Sequence, residues 1–289
     1  MSALRRTATT ATDVACRAVG RRHVVRAARF VLNRARLDIP NDMRFNGETS
    51  MQRWILDLSS AGQEVHVCDV GANVGRWSAA MLTAARRAGR LGDLDLHAFE
   101  PSSYTFALLS QALDGQPVRM RRLALGESSG SVDLHIVAPG AGTNSLHEPT
   151  GSRAIVATEE VSSMTLDSYA EEAHLHHVTL VKIDTEGHDL SVLLGAQKLL
   201  SEHRIVAAQF EYNDRWIAAR SFLRDVFKLV APLGYCIGKL TPNGLEFYPS
   251  WDAELETFVE GNYVACVQEL TERLPSVNWW KSNGKKMKR

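Results

Sequence analysis

From residue 50 to about residue 267, short apolar runs alternate with helix-length amphipathic segments, the pattern of a mainly parallel sheet covered by helices. The first run, Val65-His-Val-Cys-Asp-Val70, enters a glycine-containing turn, after which 73–87 reads as a helix carrying Trp77, Ala80, Met81 and Ala84 on one face. A second strand is expected at 94–99, ending on Glu100-Pro101, with a helix at 103–113. A strand at 119–123, a turn at 126–130 and a strand at 132–137 together read as a hairpin-type insertion. Residues 138–152, rich in Gly, Pro, Thr and Ser, have no periodicity. Loops of that length in compact domains usually serve a function, so this one is a candidate lid over substrate or cofactor. The strand 178–183 then runs into the polar turn Asp184-Thr-Glu-Gly-His-Asp189. A helix at 190–201, a strand at 205–210, a helix at 222–231 and closing strands near 235–237 and 262–267 follow.

Ahead of this α/β body, Val14, Ala18, Val25, Ala28, Val31 and Leu32 recur at helical intervals between arginines, which predicts a basic amphipathic helix. The expected division is a basic helical extension over 1–49, the body over 50–270 and a basic tail over 271–289. The formal net charge of zero over 289 residues conceals this asymmetry. Residues 1–37 hold nine Arg and one acid, and residues 281–289 hold five bases and no acid. The remainder, 38–280, has 19 bases and 32 acids, a net of −13, so the field of the body does not suit nucleic acid. Three roles compete for the basic helix: a solvated or docking appendage, peripheral contact with an anionic membrane surface, and contact with nucleic acid. The first is the default.

No apolar run approaches the roughly 20 residues that cross a bilayer. Arg5 and Arg6 are followed by Thr, Ala and more Arg rather than an apolar core, so no secretory signal is expected. The four cysteines, Cys16, Cys68, Cys236 and Cys266, form no C-x-x-C pair, and inert thiols in a reducing cytoplasm are the expectation. Trp279-Trp280 reads as packing against the body rather than as a membrane-interface pair.

The first chemical signal is the turn holding Asp69, Gly71, Asn73 and Gly75 at the end of an apolar strand. Glycines let backbone approach a ligand closely, and Asp69 can accept from an amine or cationic group. Alone, a glycine pair is what any turn uses. Glu100, at the end of the next expected strand, adds a carboxylate able to take both ribose hydroxyls of an adenosine-containing ligand. A dinucleotide site would place G-x-G-x-x-G at the helix N-terminus to hold pyrophosphate, and that turn is absent. An acid beside the turn suits S-adenosyl-L-methionine, with its sulfonium and amino-acid portion, better than a diphosphate.

Taken in order, Asp69-Val-Gly-Ala-Asn-Val-Gly75, Phe99-Glu-Pro101, Met164-Thr-Leu-Asp167, Lys182-Ile-Asp-Thr-Glu-Gly187 and Val192-Leu-Leu-Gly-Ala196 resemble the FkbM-type methyltransferase family over roughly residues 50–267. The resemblance implies a methyltransferase domain at 50–270 with a class I, Rossmann-like, seven-stranded and mostly parallel sheet with helices on both faces. It implies methyl transfer from S-adenosylmethionine to a hydroxyl of a small-molecule or glycan acceptor: a sugar, glycolipid or secondary metabolite. Asn144 and Ser145 resemble a family position near the cofactor, and Ala124 and Leu125 are placed to flank the adenine. Two departures stand out: Asp189 where the family often has Glu, and Ser102-Ser103 where a further Pro is common.

The protein's task in such a reaction is to align an acceptor oxygen and take its proton. Alternation along an extended strand end would set Asp184 and Glu186 on one side, facing the crevice above the sheet. They are the candidate acceptor-positioning and proton-accepting groups. His188 competes as general base because its ordinary pKa suits neutral pH. Asp184 could instead hold the methionine portion, Asp184 and Glu186 could bind a divalent cation such as Mg, or the turn could be structural. Glu211 and Asn213 are weaker acceptor contacts. His174, His176 and His177 lack a neighbouring acid or thiol set and read as solvated or capping residues, so no metal site is assigned. Two other classes stay open: a module that binds S-adenosylmethionine without turnover, and an NAD-dependent Rossmann enzyme.

Overall fold

A computed structural model describes residues 3–148 and 154–277; Trp279, Trp280, the basic tail and part of the glycine-rich loop lie outside them. The chain divides into two units, residues 1–39 and 40–289. The first holds helices α1 (Ala3–Val19) and α2 (Arg21–Ala35), neither with a buried residue. The single expected helix is therefore two, because Gly20 takes a φ of 89° that ends helical geometry between them. Among the described residues, no helix is long and apolar enough to cross a membrane.

The second unit runs α3 (Glu48–Leu58), β1 (Val65–Val70), α4 (Arg76–Arg87), β2 (Leu94–Phe99), α5 (Ser103–Ala112), β3 (Val118–Arg121), β4 (Ala124–Leu125), β5 (Gly130–Ile136) and β6 (Ala157–Met164). It continues with α6 (Leu166–Glu172), β7 (Val178–Ile183), α7 (Asp189–Leu194), α8 (Gln197–Ser201), β8 (Ile205–Tyr212), α9 (Leu223–Val230), β9 (Tyr235–Thr241), β10 (Gly244–Tyr248) and β11 (Gly261–Val267). The large sheet has the order β10-β9-β11-β8-β7-β1-β2-β3, parallel from β3 to β8 and antiparallel from β8 to β10. Both faces are covered, as the nearly continuous apolar runs require. Val67, Leu96 and Leu180 pack in the core that includes Met51, Trp77 and Leu109, while Val70, Phe99 and Ile183 pack in the core that includes Leu166, Val192 and Val226. Asp69 and Lys182 alternate with the second set, which places both on the α3–α4 side of the sheet.

The architecture is the Rossmann-like α/β fold that the sequence predicts, with local corrections. The sheet has eight strands rather than seven, because 244–248 folds back on β9 as an antiparallel edge. The expected hairpin does not form: β3 pairs parallel with β2, while β5 pairs antiparallel with β6, a strand that the sequence pattern did not single out. β6 is mostly polar, Ala-Thr-Glu-Glu-Val-Ser-Ser-Met, because it belongs to a small β4-β6-β5 sheet in which only Val161 and Ser163 of this strand are buried. The helix expected at 73–87 begins at Arg76, since Asn73 and Gly75 take φ of 49° and 80°. The helix expected at 190–201 breaks at Gly195, where a Cβ would sit 2.0 Å from the Gly126 carbonyl oxygen. Asp167 then starts α8, its carboxylate accepting from the N–H groups of Lys198 and Leu199 at 2.9 Å each.

Candidate active site

Parallel strands deliver their C-terminal ends to one edge, and the ends of β1, β2 and β7 meet there. The turn after β1 is held by backbone: the N–H groups of Gly71 and Ala72 donate to the Phe99 carbonyl at 3.0 and 2.8 Å, and Asp184 N–H donates to the Val70 carbonyl at 3.0 Å. Gly71 has a φ of 76°, and a Cβ there would lie 1.9 Å from the Asp184 carbonyl oxygen, so only glycine allows the two turns to touch. Gly75 meets a different demand. Its missing side chain makes room for Leu109 and Leu113, the first in α5 and the second just beyond it.

Asp69 is fully buried and does not face open space. Its Oδ2 accepts from Ser78 Oγ at 2.7 Å, and its Oδ1 lies 3.1 Å from Lys182 Nζ. That ammonium also donates to the Gly71 carbonyl at 3.3 Å and sits 3.5 Å from Asp184 Oδ2. Burial works against the charge on Lys182, but Asp69, Asp184 and Glu48 outweigh it and raise its pKa.

A cleft enclosing about 720 Å³, open solvent at its mouth included, lies beside this clamp. Gly71, Asn73, Glu100, Ala124, Asn144, Ser145, Asp184, Glu186 and His188 line it together with Leu125, whereas Asp69 and Gly75 do not. Glu100 is 8% exposed; its Oε2 accepts from Asn73 N–H and its Oε1 from Ser102 N–H, both at 3.0 Å. Burial raises its pKa to about 7 against those two hydrogen bonds. Asn73 Oδ1 is buried with no hydrogen-bond partner among the described residues.

The turn after β7 departs from the expected strand alternation, because Glu186 takes a left-handed φ of 59°. Asp184 and Glu186 still reach the same cleft, by way of that turn rather than an extended strand. Asp184 is resisted by burial but held ionised by Lys182 and a hydrogen bond from Glu211, which lower its pKa. Glu211 is pushed the opposite way, its pKa raised by burial and by the Asp184 charge. Asn213 Nδ2 and Asn41 Nδ2 donate to Glu211 Oε1 at 3.1 and 3.2 Å. Burial and the Asp184 charge raise Glu186 to about 8, although Arg215 forms an ion pair with it.

Asp189 turns under this loop rather than into the cleft: Oδ2 accepts from Thr185 Oγ1 at 3.1 Å and Gly187 N–H at 3.3 Å, and Oδ1 from Glu211 N–H at 3.2 Å. His188 Nδ1 lies 3.1 Å from His147 Nε2, and burial lowers its pKa to about 4. The described part of the glycine-rich loop is fastened over the same turn. Ser145 Oγ donates to the Glu186 carbonyl at 2.8 Å and accepts from His147 N–H at 3.1 Å, while Asn144 Oδ1 accepts from Val137 N–H at 3.0 Å.

Lys182, Ser78, Arg215, His147 and Glu48 were not singled out by sequence reasoning. For Lys182 a signal existed, a lone cation inside the apolar run Val178-Thr-Leu-Val-Lys-Ile183. Arg215, His147 and Glu48 carry none, because each is brought in from a distant segment, and Ser78, nine residues after Asp69 in α4, is a helix serine whose partner the pattern does not mark. His177 meets His66 edge to face at 4.8 Å. Among the described residues, no group of three or more His, Cys, Asp or Glu is arranged to hold a metal ion. All four cysteines are free, Cys68 and Cys266 buried.

Comparison with known proteins adds three findings. Residues 69–236 match the methyltransferase FkbM domain. The hexuronic acid methyltransferase AglP of Haloferax volcanii is 29% identical over 188 residues, covering 63% of this chain and 70% of that protein. Among solved structures, a SAM-dependent methyltransferase from Agrobacterium tumefaciens aligns with a TM-score of 0.38 and 8% identity over 75% of this chain and 61% of its own. The CurJ carbon methyltransferase aligns with a TM-score of 0.44 and 8% identity over 76% of this chain and 54% of its own. The chain thus spans less than two thirds of the length of either structure.

Proposed function

The chain belongs to the FkbM family of S-adenosylmethionine-dependent methyltransferases, and on that premise we propose that it methylates a hydroxyl oxygen of a sugar or sugar-bearing acceptor. The name of the AglP relative, a hexuronic acid methyltransferase, supports a sugar acceptor. When bound, S-adenosylmethionine supplies a methyl group already activated by a positive sulfonium.

The residues at the cleft suit that cofactor. Each Glu100 oxygen takes a single backbone N–H and retains capacity for a further donor, which ribose hydroxyls provide. Asn73 Oδ1 is a buried acceptor in want of a donor, which the amino group of the methionine portion provides. Gly71 keeps the backbone free of a side chain at the turn, and Ala124 and Leu125 give an apolar wall for adenine. Asp69 acts one step back: it fixes the turn through Ser78 and Lys182 instead of touching the cofactor. Asn144 and Ser145 fasten the described part of the loop at the cleft.

Asp184, ionised, accepts a hydrogen bond from the acceptor hydroxyl and orients it. Glu186, its pKa near the working pH, takes the proton as the oxygen is alkylated. His188 is uncharged at neutral pH and serves as the turn's packing partner through His147. The observation carrying this reading is the convergence of Glu100 from β2 and Asp184 and Glu186 from the β7 turn on one cleft. The test is production of S-adenosylhomocysteine with hexuronic acids, neutral hexoses, amines and carboxylic acids offered as acceptors, together with calorimetry against S-adenosylmethionine and NAD. Turnover dependent on a sugar hydroxyl is expected. Methylation of amines alone, or binding of NAD alone, would overturn the proposal.

A further inference from the structure

The first unit has a surface that water does not suit. Leu4, Val14, Val19, Val25, Phe30 and Val31 are between 49% and 82% exposed, and neither helix buries a single residue. Apolar side chains of this size crowded on so short a segment mark a surface that something else covers. On α1, the 100° step sets Leu4, Ala11, Val14 and Ala18 on one side and Arg6, Asp13 and Arg17 on the other. On α2, the same step sets Val25, Ala28, Val31 and Leu32 in one stripe, with Arg22, Arg26 and Arg29 along its flank, Arg21 at the head of the stripe and Phe30 on the far side.

Two further observations limit what the cover is. Nine arginines against one acid over residues 1–37 call for an anionic partner. The threonine hydroxyls of α1 are withdrawn: Thr7, Thr9, Thr10 and Thr12 each donate to the carbonyl four residues back, at 2.8–3.2 Å. Hydroxyls satisfied in this way can enter a layer of low polarity without losing a hydrogen bond. A nucleic acid would answer the arginines and leave the apolar side chains in water. A phospholipid surface answers both, with phosphates meeting guanidinium groups and acyl chains receiving the apolar side chains.

We propose that α1 and α2 are an anionic-lipid docking element, lying in the plane of the interface with their apolar faces in the acyl boundary and their arginines among the headgroup phosphates. This is independent of the methyl-transfer reading, since it uses no residue of the cleft.

The test is co-sedimentation of the full chain with vesicles of phosphatidylcholine alone and of phosphatidylcholine mixed with phosphatidylglycerol. Binding to the mixed vesicles at least tenfold tighter than to the neutral ones, and weakening as salt is raised, is expected. The double substitution Val25→Asp with Leu32→Asp, both exposed positions of the apolar stripe of α2, is expected to reduce vesicle binding at least tenfold and leave S-adenosylmethionine binding unchanged. The triple substitution Arg22→Glu, Arg26→Glu and Arg29→Glu is expected to do the same. Binding that survives both sets of substitutions, or a tighter grip on duplex DNA than on the mixed vesicles, would overturn the proposal.

Discussion

The ammonium of Lys182 lies 3.1 Å from Asp69 Oδ1 and, through its other contacts, ties the end of β1 to the end of β7. Both partners are buried, so removing the cation strands a carboxylate in the core. Lys182→Met is expected to destabilise the fold by about 3–5 kcal/mol, the cost typical of breaking one side of a buried pair. Urea denaturation measures it, and a loss below about 1 kcal/mol would mean that the clamp contributes little.

Gly71 meets two demands at once, a left-handed φ and contact with the Asp184 carbonyl. Gly71→Ala is expected to push the two turns apart and weaken S-adenosylmethionine binding at least tenfold by calorimetry. Gly89→Ala is the control: Gly89 also has a positive φ but nothing within 4 Å of its Cβ, so only its backbone strain is felt and binding is expected to hold.

Glu100 sets function against stability. Its pKa is raised from an ordinary 4.5 to about 7 by burial, so the folded chain holds a proton here that the unfolded chain releases. The group favours the fold at low pH and loses that contribution as pH rises through about 7. Glu100→Gln is expected to raise the stability of the cofactor-free chain by up to about 2–3 kcal/mol above pH 7, with the gain vanishing toward pH 4. The same substitution is expected to weaken S-adenosylmethionine binding at least tenfold. Thermal melts at several pH values and calorimetry read the two effects separately.

Glu186 and His188 titrate far apart, at about 8 and about 4, and the pH–rate profile tells which takes the proton. With Glu186 as base, kcat rises with pH through about 8, and Glu186→Gln abolishes that rise while lowering kcat by about 10²–10⁴-fold. A profile that turns only near 4, and is lost in His188→Gln, would assign the role to His188.

What the sequence made legible follows from how local each signal is. The β1 turn, Glu100 and the β7 turn are each a few residues at the end of an apolar run, and position at a strand end carries most of the information. Lys182 pairs with Asp69 across more than a hundred residues, and periodicity says nothing about such pairing. β6 escapes the pattern for a physical reason: it satisfies its backbone in a small sheet that buries few of its side chains, and needs no apolar alternation to do so. The left-handed Glu186 was missed because a non-glycine residue does not announce a positive φ.

The cleft is walled by two sheets with different allegiances. Gly71, Glu100 and Asp184 are fixed by the register of β1, β2 and β7, whereas the loop carrying Asn144 and Ser145 is bracketed by β5 and β6 of the small sheet. A change in length or composition between β5 and β6 therefore leaves the pairing of the large sheet intact. The cleft thus has a frame built by the large sheet and a separate cover built by the small one, and substitutions in the cover are felt at the cleft without passing through the frame.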